Sequence, residues 1–308
     1  MPNYDMFFSE RRKVLKKRFV VIVLLIILFM PFMVSAEELD NNMTVQPIYT
    51  NKLGVNFLQE DYNLITKIYG DGYIDYMTQE QYQAFKSRNI SMDDFVSYSQ
   101  VKKYFKTTIN NLTDEITTTE VTEEEYTNYN PGNASINSFV ETEYKYMQLS
   151  LSAYTDGYGD VSLGLRWKMI PATRSFDVLA IRFIAIEVIN GSQYGRQAYE
   201  INGEANYVSY AWNGTNINDL NNGFGISMNL INSTDVNYFQ MNIGAAIKVT
   251  NPNAAPTAYG SYQHACSSVT LAQSKNYTLS SAGLGNVINF PSNIASKYDG
   301  MPGLAAYI

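Results

Sequence analysis

His264 and Cys266 are the only histidine and the only cysteine of the chain, and they stand two residues apart. A cysteine nucleophile needs its thiol held against the imidazole that activates it. On a strand, residues i and i+2 share a face and lie side by side, which suits that task poorly. A zinc site needs three or four nitrogen, sulfur or oxygen ligands, and two neighbours do not supply them. His264 is therefore expected to be a buried or hydrogen-bonded strand residue. Carboxylates offer a second chemistry, since glycoside hydrolysis uses two of them set across a cleft. Asp177, Glu187 and Asp299 lie in or beside apolar segments, where charged side chains are uncommon. Arg174 and Arg182 are near Asp177 in sequence, so an ion pair at a strand end is its expected role. The chain has no P-loop, no G-x-G-x-x-G, no G-x-S-x-G and no H-E-x-x-H, the motifs that would signal nucleotide, serine-hydrolase or zinc chemistry. No catalytic residue, metal or cofactor is assigned, and the chain is read as non-enzymatic.

Gly70-Asp71-Gly72-Tyr73-Ile74-Asp75 has the centre of an EF-hand loop. In that register the first, third and twelfth ligand positions fall on Lys67, Tyr69 and Thr78, so three oxygen ligands are missing. The segment reads as a junction between helices, and residues 156–160 as a hairpin turn. The 25 tyrosines are a heavier signal. Tyr154, Tyr158, Tyr194, Tyr207 and Tyr210 fall on expected exposed parities or turns. Exposed tyrosine beside asparagine offers an apolar plate next to amide hydrogen bonds, which is how glycans and protein surfaces are held. These five are the candidate ligand-binding residues.

Residues 1–36 have the three parts of a secretory signal: a basic cluster (Arg11, Arg12, Lys13, Lys16, Lys17, Arg18), an apolar run from Phe19 to Val34, and a small-residue exit at Ser35-Ala36. The run is short for a membrane-spanning helix and contains Pro31, where about twenty apolar residues are needed. Cleavage after Ala36 gives a secreted protein, and retention would tether it to the plasma membrane. The whole chain carries 22 basic and 29 acidic side chains; without residues 1–36 it keeps 16 and 27, a formal charge of −11. That acidity disfavours nucleic acid and anionic membrane surfaces, which leaves the export segment, if uncleaved, as the membrane contact. With one cysteine no internal disulfide forms, so stability must come from a core, and about 270 residues can build one.

The elements that must position these residues change character along the chain. Residues 37–53 read as a disordered spacer. Residues 54–105 read as a small helical subdomain, with Phe57, Leu64, Ile65 and Ile68 at helical spacing, a capping box at Thr78-x-x-Gln81, and a third start at Ser91-x-x-Asp94. Residues 106–137 form a Thr/Glu-rich extended segment and linker. From residue 138 the period is two: Val161, Leu163, Leu165, Trp167 and Met169 alternate with small or polar residues, as do Phe239, Met241, Ile243, Ala245, Ile247 and Val249. Such alternation predicts antiparallel strands with one face buried and one wet. Residues 176–189 are apolar on both parities and predict a strand covered on both sides. Asn202-Gly203 predicts a tight hairpin. The expected fold is mainly β, an antiparallel β-sandwich of roughly 8–10 strands over residues 138–308, behind the helical subdomain.

Four segments, residues 167–178 (WKMIPATRSFDV), 222–229 (NGFGISMN), 259–265 (YGSYQHA) and 296–301 (SKYDGM), resemble uncharacterised secreted β-rich proteins of low-GC Gram-positive bacteria. Tyr259-x-x-Tyr262-x-His264 also resembles bacteriocins of the lactococcin 972 type, which are much shorter. Neither resemblance implies an established activity. The expected role is a secreted, non-enzymatic module binding a glycan or a protein surface. A membrane-active or bacteriocin-like protein and a carboxylate-based secreted hydrolase are the alternatives, and the sequence sets no oligomeric state. N-terminal sequencing of exported material should begin at Glu37; a chain beginning at Met1 would show a retained anchor instead.

Overall fold

The computed structural model describes residues 46–130, 140–280 and 285–308. The export segment, most of the spacer and residues 131–139 of the linker lie outside the described residues.

The first described elements are short: strands β1 (Tyr49–Thr50) and β2 (Asn56–Phe57), then helices α1 (Gln59–Tyr69) and α2 (Gln79–Lys86). Helix α1 buries Leu64, Ile65 and Ile68 on one stripe and stops at Gly70, whose φ of 87° gives the chain its exit. Thr78 and Gln81 cap α2 reciprocally, as the sequence predicts. The capping residues Ser91 and Asp94 also bond each other, but they close a single 3₁₀ turn over Met92–Asp94. The chain then becomes strand β3 (Phe95–Asn110), so residues 95–105 leave the expected helical subdomain for a sheet. The aromatic and β-branched residues that follow Asp94 suit a pleated surface better than a helix.

Strand β3 joins β4 (Glu115–Val121), β5 (Val140–Tyr154), β6 (Tyr158–Trp167), β8 (Ile186–Val188), β9 (Tyr194–Ile201), β10 (Glu204–Ala211) and β13 (Val236–Val249) in an 8-stranded antiparallel sheet. Its order is β10-β9-β13-β6-β5-β3-β4, with β8 paired beside β13. A second, 5-stranded sheet runs β11 (Ile217–Leu220), β12 (Gly223–Asn229), β7 (Phe176–Ile184), β14 (Thr257–Gln263), β17 (Leu304–Tyr307), and the short strands β15 (Thr278–Leu279) and β16 (Ile288–Asn289) pair separately. The protein is thus a mainly β antiparallel sandwich with a small helical layer at its N-terminal side. Both sheets draw on more strands than the alternating segments alone suggest, because β3 and β4 extend the first and β17 the second.

The sheets face each other through Met147, Leu149 and Leu151 of β5, Val161, Leu163 and Leu165 of β6, Phe239, Met241 and Ile243 of β13, and Leu179, Ile181, Phe224, Ile226 and Met228 opposite. The expected central strand divides in two. Residues Phe176–Ile184 run in the middle of the second sheet, and Ile186–Val188 pair with β13 in the first. Ala185, at φ 56°, is the corner where the chain changes sheets. Asn202 and Gly203 take φ of 53° and 83°, the left-handed pair of a type I′ hairpin between β9 and β10.

One expectation fails instructively. The outer face of the large sheet is polar, yet Gln148, Ser150, Ser152, Ser162, Gln240, Asn242 and Arg196 are all buried. The helical layer covers them, and its backbone bonds Gln148, Ser162, Gln240 and Arg196, while Ser150 and Ser152 bond within the sheet to Gln100 and Asp160. Ser162 donates to the Tyr69 carbonyl at 3.1 Å, and Arg196 donates to the carbonyls of Tyr76 at 2.6 Å and Tyr73 at 2.7 Å while its guanidinium sits over the Tyr73 ring. Gly72, at φ 75°, packs where a Cβ would stand 3.0 Å from Gln240 Oε1. Polar alternation therefore marks a buried polar interface here, not a wet one.

Arg196→Met should free these carbonyls and cost about 2–4 kcal/mol, the range for charge-assisted bonds lost from buried groups. Urea unfolding checks the magnitude. Amide exchange should accelerate in residues 49–88 more than in the sandwich strands.

Candidate functional site

Strand β5 carries its inward parity beyond the hydrocarbon core. Met147, Leu149 and Leu151 face the second sheet, and two and four residues before Met147 the same face presents Lys145 and Glu143. In register, Lys145 lies opposite Phe105 of β3 and Trp167 of β6, and Glu143 opposite Thr107. The second sheet supplies Asp177 from β7, Tyr262 from β14, and His264 just past the end of β14. Asp299 arrives from the segment before β17. It is fixed by its own amide, which donates to the His264 carbonyl at 3.0 Å, and by a reciprocal bond from the His264 amide to Asp299 Oδ1 at 3.0 Å. Thr118 of β4 donates to the Asp299 carbonyl at 2.9 Å.

Two ion pairs form between the sheets. Lys145 Nζ lies 2.5 Å from Asp299 Oδ2, with the Trp167 ring centre 4.4 Å away. His264 Nδ1 lies 3.0 and 3.1 Å from the two oxygens of Asp177, which also accepts from the Ala265 amide at 3.0 Å and from the Tyr262 hydroxyl. Glu143 sits between the pairs, its Oε2 3.7 Å from Lys145 Nζ and its Oε1 3.7 Å from His264 Nε2. All five side chains are 0–3% exposed.

The electrostatics follow from that burial. Desolvation pushes the Glu143 carboxyl above its ordinary range, although His264 and Lys145 pull the other way. Desolvation also disfavours the Lys145 ammonium and the His264 imidazolium. In each case the neighbouring carboxylates outweigh it, Asp299 and Glu143 at the lysine, Asp177 and Glu143 at the histidine, and both are held above their ordinary values. Both Glu143 oxygens, His264 Nε2 and Trp167 Nε1 are buried without a hydrogen-bond partner. Each such group costs about 1–3 kcal/mol.

The sequence singled out two members of this cluster for their apolar surroundings, Asp177 and Asp299, and a third, His264, as a buried strand residue. The structure brings them together. It does not pair Asp177 with Arg174 or Arg182. Arg174 donates to the carbonyls of Pro171 and Ser233, and Arg182 stands over the Tyr259 ring. Residues 177 and 182 have opposite parity on β7 and point to opposite faces. Glu187 is exposed and lines a surface cavity with Gln193 and Asp219. Glu143 and Lys145 are the members that sequence reading missed. Cys266 is half-buried, burial pushes its thiol far up, and its Sγ reaches only the His264 carbonyl at 3.7 Å.

The five candidate tyrosines do not form a common face. Tyr154 is buried and donates to Asp160, because its outer-face position lies under the helical layer. Tyr194 is packed edge-on against Tyr69 and Tyr73, and Tyr210 turns its ring toward the core while its hydroxyl accepts from Gln197 at 3.3 Å. Tyr158 and Tyr207 are exposed, at 45% and 42%. They lie on β6 and β10, separated by β13 and β9 and by about 26 Å along the strands at ~3.3 Å per residue. The junction at residues 70–75 is likewise structural. Asp71 pairs with Lys102 at 2.7 Å, and Asp75 accepts from Tyr49. Among the described residues no group of three His, Cys, Asp or Glu side chains is arranged to hold a metal ion.

No protein-family model matches the chain, and no curated protein sequence does. Among solved structures the chain is similar to the pilus backbone protein RrgB of Streptococcus pneumoniae, at 9% identity and a TM-score of 0.23, over 35% of this chain and 25% of that one. At that score the likeness carries no argument about role.

The His264–Asp177 pair predicts a pH dependence. A histidine held above its ordinary value of 6.5 when folded contributes its full stability below that value and loses it as pH rises through the folded value. Melting temperature should therefore decline as pH rises above about 6.5, and His264→Gln should flatten that decline.

Proposed function

We propose that this chain is an extracellular, non-enzymatic β-sandwich module that works by presenting a surface. The observation that supports this best is the closure of its charge cluster. Three carboxyl groups, a lysine and a histidine converge, which is a catalytic inventory by residue type, yet their side chains are 0–3% exposed. A hydrolase needs its carboxylates to face a substrate across a cleft. Two surface cavities among the described residues are lined by other residues: one by Val96, Tyr154, Pro252 and Pro256, another by Phe183, Glu187, Asn190 and Gln193. Among the described residues no helix is long and apolar enough to cross a membrane.

The surface that fits a binding role is the β10 edge of the large sheet. It exposes Tyr207 at 42% and, just past the strand, Trp212 at 47%. Exposed tyrosine and tryptophan are costly to leave in water and are the residue types that anchor ligand contacts. The asparagines that precede Tyr207 and follow Trp212, Asn206 and Asn213, supply amide groups for a glycan or a peptide. Glycan-array and protein-binding assays of the purified chain test this. Tyr207→Ala with Trp212→Ala should lower binding about tenfold or more, at about 1.4 kcal/mol per decade, while thermal stability stays within one kcal/mol or so. Binding that persists undiminished in the folded double variant, or hydrolysis of a bound glycan, would overturn the proposal.

A further inference from the structure

We propose that Lys145 and Asp299 are joined by an amide bond that the folded protein makes itself, with Glu143 moving the protons. The argument starts from what the cluster contains beyond an ion pair. An ordinary ammonium–carboxylate contact is about 2.7–2.9 Å long; here the amine nitrogen is 2.5 Å from Asp299 Oδ2 and neither side chain touches solvent. The pair is anchored at both ends, Lys145 in the ladder between β3 and β6 and Asp299 by backbone bonds to His264. Two groups fixed in this way react as if at very high concentration, on the order of 10⁵ M or above.

The remaining groups match the steps of a condensation. Glu143 is a buried carboxyl with no hydrogen-bond partner on either oxygen, beside the amine at 3.7 Å. As a structural residue it is unaccounted for; as a proton carrier it is in position. It takes a proton from Nζ, whose lone pair then attacks Cγ of Asp299. Negative charge develops on Oδ1, where the His264 amide already donates at 3.0 Å, as an oxyanion donor should. Glu143 delivers that proton to Oδ2, takes the second proton that Nζ sheds as the C–N bond forms and delivers it to Oδ2 as well, so that the C–Oδ2 bond breaks with water as the leaving group. One ammonium and one carboxylate become one amide and one water; no oxidant, metal or co-reactant is consumed. Trp167 and Tyr262, with rings 4.4 and 5.6 Å from Nζ, keep bulk water from reversing the step. The product replaces two buried charges by a neutral amide and ties β5 covalently to the segment that leads into β17. This inference does not depend on the binding role proposed above.

Peptide mapping by mass spectrometry tests it directly. In the purified, folded wild-type chain, the peptides containing Lys145 and Asp299 should appear as one branched species, lighter than their sum by one water. Glu143→Gln should restore separate peptides of full mass in a protein that still melts cooperatively, and Lys145→Arg should do the same. Separate, full-mass Lys145 and Asp299 peptides from the folded wild-type chain would overturn the proposal, whatever the variants do. A water deficit located at other residues would overturn it equally.

Discussion

A lysine ammonium taken out of water loses several kcal/mol of hydration even after the protein relaxes, and Lys145 has lost all of it. That constraint organises one end of the sandwich. Asp299 has to reach into the space between the sheets, so the chain after His264 must come back over the second sheet. On the way it lays Val269, Tyr277, Phe290, Ile294 and Tyr298 against Val178 and Ala180. The outer face of β7 is therefore dry, which is why its sequence is apolar on both parities. Thr118 reaches the same point from β4, so the edge of the large sheet is tied to the cluster as well.

The opposite face of the large sheet meets a similar problem by other means. Among the described residues Arg196 pairs with no carboxylate; its charge is taken up by two backbone carbonyls, the Gln81 amide oxygen and the face of Tyr73. A carbonyl can act in this way only if the helical segment has freed it, and residues 70–77 do so by breaking out of regular helix at Gly70 and Gly72. Glycines, polar strand residues and the arginine form one arrangement. The helical segment is thus a layer of the fold, with a small core of its own around Phe57, Ile65, Ile68 and Met77.

How much of this was legible in the sequence depends on parity. The inner faces of β6 and β13 were readable because hydrocarbon alternates there with small or polar groups, and the Asn202-Gly203 turn because only left-handed φ closes so short a hairpin. The cluster was half legible. Asp177, His264 and Asp299 stand out against apolar neighbours, whereas Glu143 and Lys145 follow Glu141 and precede Gln148 in a segment that looks solvated. The signal that finds them is that their parity is shared with Met147, Leu149 and Leu151. Of the five tyrosines, Tyr158 and Tyr207 are exposed as expected, and the others were misjudged for the converse reason. Alternation identifies two faces but not what lies on each, and a polar face covered by a polar layer buries Tyr154 and Tyr194 as effectively as hydrocarbon does.

The distance between Lys145 and Asp299 along the chain, 154 residues, sets an order of assembly. As the chain is synthesised, β5 emerges with an amine and a carboxyl on the face that is to become the core, and nothing yet to receive them. Hydrophobic collapse onto that face is penalised until the final segment arrives, since contacts so distant in sequence form late. The C-terminal segment is in this sense a latch. Glu143 and Lys145 thus meet Asp177, His264 and Asp299 only after most of the sandwich strands have been made.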